Sequence, residues 1–261
     1  MKWYFKTLTG ILSHCLVRTF DSMQQCTFDV IATIQSPYKQ KFAIPRQPGL
    51  VPEAKAQLIF APEFNAEPFI RGIEEFSHLW LVFVFHETAG KGWSPMVRPP
   101  RLGGNQRKGV FATRATFRPN PIGLSVVQLE GARCVNKQWQ LDLAGIDLLD
   151  GTPILDIKPY LPYSDAIPDA QASFADSAPE TGMTVSFSAE AERYCQSQNH
   201  QPELKLLIEK VLKQDPRPPY KKKQTGEQSY GMTLYNLNIQ WKVTGDHHYV
   251  YAITPLGDST D

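Results

Sequence analysis

The sequence predicts a mainly β chain, a barrel or a sandwich, followed by a small α+β unit. Three observations predict it. Six or so short apolar segments are separated by proline and glycine, which number 21 and 17 in 261 residues, and such punctuation favours a barrel or sandwich over βαβ units. No strand–GxGxxG–helix unit occurs, so a Rossmann-type cofactor site is unsupported; GxSxG, HExxH and P-loop motifs are missing too. Beyond residue 183 the pattern changes to helical spacing and then to long alternating runs.

Residues 1–22 carry an apolar stretch broken by His14 and Arg18, with no small-residue cleavage site. That pattern is not a secretory signal. It reads as an extension outside the fold, with Met23 as the natural start. Phe28, Val30, Ala32 and Ile34 then alternate as a half-buried strand, ended by Ser36-Pro37-Tyr38. The following KQKFAIPRQPGLV cannot be helical, because Pro45, Pro48 and Gly49 interrupt it. Arg46 and Gln47 sit between those prolines, either as presented donors or in a plain turn.

Gln57–Phe60 is a short strand, and residues 61–75 are turn-rich. Leu79–Phe85 is a continuous apolar run that reads as a central strand buried on both faces. His86 and Glu87 follow at its end, where ligand sites concentrate. His86 fits either a functional or an ordinary capping role.

The segment 97–123 holds Arg98, Arg101, Arg107, Lys108, Arg114 and Arg118 and no acidic residue, in a chain of net charge +1. A basic run also suits a solvated face. Pro99-Pro100, Gly103-Gly104 and Pro119-Asn120-Pro121 favour stiff loops instead, and Val110-Phe111-Ala112 splits the run. Guanidiniums so placed suit phosphate or carboxylate. Leu124–Leu129 is the next strand, with a turn beginning at Gly131. Trp139–Leu143 follows, then an Asp150-Gly151 turn and a strand over 154–157.

Residues 164–183 have linker composition, which divides the chain into a first domain at 23–163 and a second at 184–261. In the second, Thr184–Phe187 is strand-like and Ala189–Gln196 helical. Leu204, Leu207, Ile208, Val211 and Leu212 mark an amphipathic helix over 202–214. Residues 233–243 alternate as one strand, paired through Gly245-Asp246 with 249–253. Arg217, Lys221 and Lys222 beside Tyr220 suit single-stranded RNA or a solvated loop. The four cysteines form no CxxC pair, and no apolar run approaches a membrane span. Neither a metal nor a membrane is implied, and the compartment reads as cytoplasmic.

PYKQKFAIPRQPGL (37–50), FSHLWLVFVFH (76–86), RPPRLGG (98–104), GVFATRATFRPNPIGLS (109–125), DLLDGTPILDIKPYLPY (147–163) and DPRPPY (215–220) resemble the TrmO or YaeB (TsaA-like) family of tRNA methyltransferases. The resemblance runs from about Phe28 to the C-terminus. It implies a β-barrel N-terminal domain that binds S-adenosyl-L-methionine, a small α+β C-terminal domain that helps hold tRNA, and a homodimer with the site near its interface. The implied reaction is methylation at N6 of threonylcarbamoyladenosine 37, beside the tRNA anticodon. Carried over by motif, the cofactor contacts are Pro45, Arg46, Gln47, Phe85, His86, Arg114, Leu124, Thr152, Pro153, Ile154 and Leu155. Arg98, Arg101, Arg118, Arg217, Lys221 and Lys222 are expected to meet the tRNA anticodon loop. His86 or Asp150 is expected to take the proton. The competing expectation is a non-catalytic tRNA-binding module whose barrel holds a small ligand; it predicts salt-dependent binding without turnover.

Overall fold

The computed structural model describes residues 26–103, 106–178, 182–199, 201, 203–217 and 226–257. The expected extension at 1–22, the expected start Met23, and Lys221 and Lys222 lie outside them. The elements in chain order are β1 (Ala32–Gln35), β2 (Lys55–Phe60), β3 (His78–Val84), β4 (Met96–Val97), β5 (Lys108–Gly109), β6 (Ile122–Val135), β7 (Gln138–Ala144), β8 (Pro153–Pro159), β9 (Thr184–Phe187), α1 (Ala189–Ser197), α2 (Leu204–Lys213), β10 (Gln228–Leu234), β11 (Leu237–Thr244) and β12 (His247–Pro255). The chain is mainly β with few helices.

Six strands pair in the ring order β1-β2-β7-β6-β3-β8, and β8 returns to β1 through Ala32↔Ile154 and Thr33↔Pro153, closing a barrel. All these pairings are antiparallel. Successive side chains of a strand point to opposite faces, so one set fills the ring. Ile34, Leu58, Leu79, Leu81, Leu141, Leu143 and Ile154 are fully buried there. Each such side chain contributes about 1.5–3 kcal/mol of transfer free energy.

The ring corrects three expectations. In β3, Leu79, Leu81 and Phe83 are buried while Trp80, Val82 and Val84 are half-buried. The strand therefore does not bury both faces, because a ring has only one interior. Phe28 and Val30 are exposed and precede β1, which begins only at Ala32. Gly131 does not start a turn: it sits in a bulge opposite Asp142, and β6 continues to Val135.

The second sheet has the order β10-β11-β12-β9, with β9 parallel to β12. Leu204, Leu207, Ile208, Val211 and Leu212 are all buried, as the helical spacing requires. Ser188 caps α1 by accepting from the Ala191 N–H at 3.1 Å. The expected single strand over 233–243 is two strands. A two-residue turn at Tyr235-Asn236 joins β10 to β11, with Leu234 paired to Leu237 and Tyr235 at φ 54°. The buried set changes from Met232 and Leu234 to Leu237, Ile239, Trp241 and Val243.

The two sheets touch. Tyr38 bridges Leu234, the Tyr235 N–H donates to the Pro37 carbonyl at 2.8 Å, and Lys210 on α2 pairs with Glu53 at 3.0 Å. The linker-like segment packs as well: the Trp80 indole N–H donates to Asp165 at 2.8 Å, and Arg101 donates to the Ser177 carbonyl.

Candidate active site

A cavity of about 390 Å³ opens at the C-terminal end of β3. Four stretches build it. Residues 41–48 follow β1, Phe83–Thr88 end β3, Arg114–Phe117 precede β6, and Asp147–Thr152 join β7 to β8, with Leu124 of β6 on the wall.

Local chemistry fixes each stretch. The Gly49 N–H donates to the Gly145 carbonyl at 2.9 Å. Gly145 has φ +69°, a left-handed conformation that strains any residue with a side chain, while a Cβ there would lie 3.4 Å from the Gly49 Cα, so the backbone angle rather than the contact favours glycine. The contact ties the Pro45-Arg46-Gln47 loop to the start of the β7–β8 connection. That connection is stapled to β1 in turn. Gly151 N–H donates to the Ile34 carbonyl, Ile34 N–H to the Thr152 carbonyl, and Ser36 Oγ to the Leu148 carbonyl. The Phe85 N–H donates to the Pro121 carbonyl at 2.8 Å, which sets the turn carrying His86. Phe83 and Phe85 meet edge to face, with ring centroids 5.1 Å apart.

Pro45, Arg46, Gln47, Phe85, His86, Arg114, Leu124 and Thr152 all line the cavity. Arg114 donates to the Gln47 side-chain oxygen across the mouth. Pro153, Ile154 and Leu155 do not line it. Strand β8 has begun there, and Ile154 is fully buried in the ring.

The expected base Asp150 also lies elsewhere. Its Oδ1 accepts from the Ser36 N–H at 2.9 Å and its Oδ2 pairs with Lys39 at 2.6 Å. It faces a separate cleft between the barrel and α2. The carboxylate satisfies a turn rather than a cavity.

The expected RNA-contacting arginines separate. Arg98 is exposed, and neither it nor Arg101 lines the cavity. Arg118 is half-buried and props its own loop through the Thr113 carbonyl at 3.4 Å. Arg217 is buried, gripping Asp215 through Nε at 2.7 Å and Nη2 at 3.1 Å, so it does not face solvent.

Sequence reasoning missed Lys41 and Asp147. Lys41 joins Arg46 and Arg114 on the lining. The Asp147 carboxylate accepts from Ser125 Oγ at 2.5 Å, and Ser125 is itself buried. Burial pushes the Asp147 carboxyl up to about 6, opposed by the Ser125 hydroxyl, by its own backbone N–H and by the Arg114 charge. The available signal was a lone carboxylate between Ile146 and Leu148 in an otherwise apolar stretch. Among the described residues no group of three or more His, Cys, Asp or Glu is placed to hold a metal ion, and no helix is long and apolar enough to cross a membrane.

A closed antiparallel ring with an aromatic-floored, cation-lined cavity at one end defines a class: small-ligand-binding β-barrels without a mononucleotide fold. Residues 33–166 match the tRNA-methyltransferase O N-terminal domain, and residues 180–256 match the TrmO C-terminal domain. The chain belongs to the TrmO family. It is 50% identical over 234 residues to the tRNA (adenine(37)-N6)-methyltransferase of Escherichia coli K12, covering 89% of this chain and 100% of that protein. It is 49% identical over 215 residues to RcsF of Pseudomonas aeruginosa, covering 81% and 90%; that protein's name contains "S-adenosylmethionine-dependent methyltransferase". The crystal structure of TrmO from Pseudomonas aeruginosa superposes with a TM-score of 0.73 at 40% identity, covering 89% of this chain and 99% of that one.

Proposed function

We propose that this chain methylates N6 of the adenosine at position 37 of tRNA, using S-adenosyl-L-methionine, with threonylcarbamoyladenosine as the form of the base it accepts. One observation carries the reading. Segments far apart in sequence, each recognised for its family pattern, converge on one cavity, in a chain that matches the E. coli methyltransferase over that protein's whole length.

The residues fit the cofactor. The cavity lies within the range of about 300–1,000 Å³ usual for small-molecule sites. Phe83, Phe85, Leu124 and Leu148 offer apolar surface to an adenosyl group, while Arg46 and Arg114 offer cations to a carboxylate. When bound, S-adenosyl-L-methionine supplies an electrophilic methyl on a sulfonium whose charge vanishes during transfer. Apolar and aromatic walls near that centre avoid over-stabilising the charged ground state. The side chains mainly hold the partners in line and keep water out.

Arg46, Arg114 and Lys41 also suit the threonyl carboxylate of the modified base and the backbone phosphate, since a guanidinium fork takes a carboxylate in bidentate fashion. Exposed Trp93, Met96 and Phe111, with Phe117 on the cavity lining, make an apolar rim that supports a homodimer contact close to the site. The barrel domain at 23–163, the connection at 164–183 and the C-terminal domain at 184–261 remain the proposed division. The cytoplasm, where tRNA is found, is the proposed compartment.

The test is incubation with labelled S-adenosyl-L-methionine and tRNA with or without the threonylcarbamoyl group. Label is expected only in the modified tRNA; equal labelling of both would reject the specificity. Salt-dependent tRNA binding with no transfer would favour the binding-module reading instead.

A further inference from the structure

We propose that Asp147 takes the N6 proton as the methyl group arrives, with Ser125 holding the carboxylate in position; the inference rests on the methyltransferase reading above. Two carboxylates line the cavity among the described residues, Asp147 and Glu87, and Glu87 is exposed. Asp147 sits on the wall formed by the β7–β8 connection, between the fully buried Ile146 and Leu148. No salt bridge with a described residue engages it, unlike Asp150, which Lys39 and the Ser36 N–H consume.

The Asp147 carboxylate is held by the Ser125 hydroxyl and by its own backbone N–H. Ser125 Oγ donates to Oδ1 at 2.5 Å, with Oδ2 as the proposed acceptor of the incoming proton. Ser125 is 1% exposed on β6, paired with Leu81 of β3, so its hydroxyl faces the buried side, from which it reaches Asp147. Burial raises the carboxyl to about 6, which gives a stronger base than a solvent-exposed aspartate while leaving it ionised near neutrality. Arg114, Arg46, Lys41, His86 and Glu87 are the other charged or titratable groups on the cavity. Tyr38 couples to Asp147 from the buried side, and its own ionisation is pushed beyond the working range, by burial first and then by Tyr235, Asp147 and Glu53.

In the step, the N6–H bond breaks and its proton passes to Asp147 Oδ2. The freed electron pair forms the N6–methyl bond, and the pair of the broken carbon–sulfur bond remains on sulfur. The carboxylic acid then returns its proton to water.

The experiment compares wild type, Asp147→Asn and Ser125→Ala. Single-turnover methyl transfer to threonylcarbamoyladenosine-containing tRNA is followed from about pH 5 to about pH 9, and calorimetry measures S-adenosyl-L-methionine binding. NMR follows the Asp147 carboxyl in the ligand-free protein. Asp147→Asn is expected to slow transfer about 10²–10⁴-fold with donor affinity kept within roughly twofold. The wild-type rate should rise through pH about 6, and this inflection should vanish in Asp147→Asn. Ser125→Ala removes a hydrogen bond that favours the charged form, so both the rate inflection and the NMR midpoint should move to higher pH.

Full-rate transfer by Asp147→Asn beside an active wild type would overturn the proposal alone. So would a loss of donor affinity that accounts for the loss of rate. If Asp147→Asn fails to fold, an unmoved midpoint in Ser125→Ala overturns it and a raised one supports it. A wild type that binds the donor but transfers nothing would overturn the methyltransferase reading itself.

Discussion

The Phe83 ring occupies the place that a Cβ on Gly123 would need: an ideal Cβ there lies 2.2 Å from Phe83 Cζ and 2.4 Å from Cε2. The two residues are paired across β3 and β6. Gly123→Ala must displace the ring, which packs against Phe85 and forms part of the cavity surface. Overpacking of this kind costs about 1–3 kcal/mol. The melting temperature is expected to fall, and S-adenosyl-L-methionine is expected to bind roughly tenfold more weakly, a change of about 1.4 kcal/mol. Thermal melts and calorimetry on the same preparation check both.

Arg217→Ala is expected to act on stability rather than on tRNA contact. Its side chain and that of Asp215 are each 7% exposed. Deleting the guanidinium removes the bidentate pair of hydrogen bonds to the buried carboxylate, a loss on the order of 1.5–3 kcal/mol. Urea denaturation should show the drop, while filter binding at a temperature where the variant is folded should give unchanged tRNA affinity.

Lys210→Ala removes the partner of Glu53, whose side chain is only 9% exposed and whose Oε2 is buried with no hydrogen-bond partner among the described residues. The cost is expected to be about 1–3 kcal/mol. Adding Glu53→Gln should recover part of it, because the neutral amide is cheaper to bury. A double-mutant cycle on urea midpoints reads the coupling.

Asp147 also makes stability depend on pH. Its carboxyl is raised from 3.8 to about 6 in the folded protein, so the folded state holds its proton more tightly. The resulting stabilisation is full below about 3.8, is lost as pH rises through about 6, and is gone above that. Roughly two pKa units set a ceiling on the order of 3 kcal/mol. Asp147→Asn lacks this term, so its stability relative to wild type should improve from about pH 4 to about pH 7. Urea midpoints at the two pH values provide the check, and a constant difference would contradict it.

Short apolar or alternating stretches were legible from the sequence: Gln57–Phe60 within β2, Trp139–Leu143 within β7 and the α2 stripe need only local pattern. The Tyr235-Asn236 turn was hidden because both residues fit an alternating pattern. The buried set nevertheless shifts from even to odd positions between Leu234 and Leu237, and that shift is the trace a tight turn leaves. The lining residues from four stretches were carried over by the family resemblance; local pattern alone marked Arg46 and Gln47 between prolines, His86 at a strand end and Arg114 in the basic run. Asp147 was overlooked for Asp150, since a turn dipeptide draws attention whereas burial depends on β1 and β6 packing alongside. Arg217 was read with a basic, aromatic-flanked loop, whereas its side chain turns back on Asp215, a residue at φ 49° two positions before it.

The junction at Pro37-Tyr38 and Leu234-Tyr235 has a practical meaning for protein engineering. Tyr38 is wholly buried where the two sheets meet, and the chain leaving it runs directly into the Lys41–Gln47 loop of the cavity. Anyone grafting the C-terminal sheet of one relative onto the barrel of another must transplant both halves of this seam as a matched set. A mismatched hybrid would shift the cavity loop, because β10 of the C-terminal sheet packs against its Lys41–Ala43 turn.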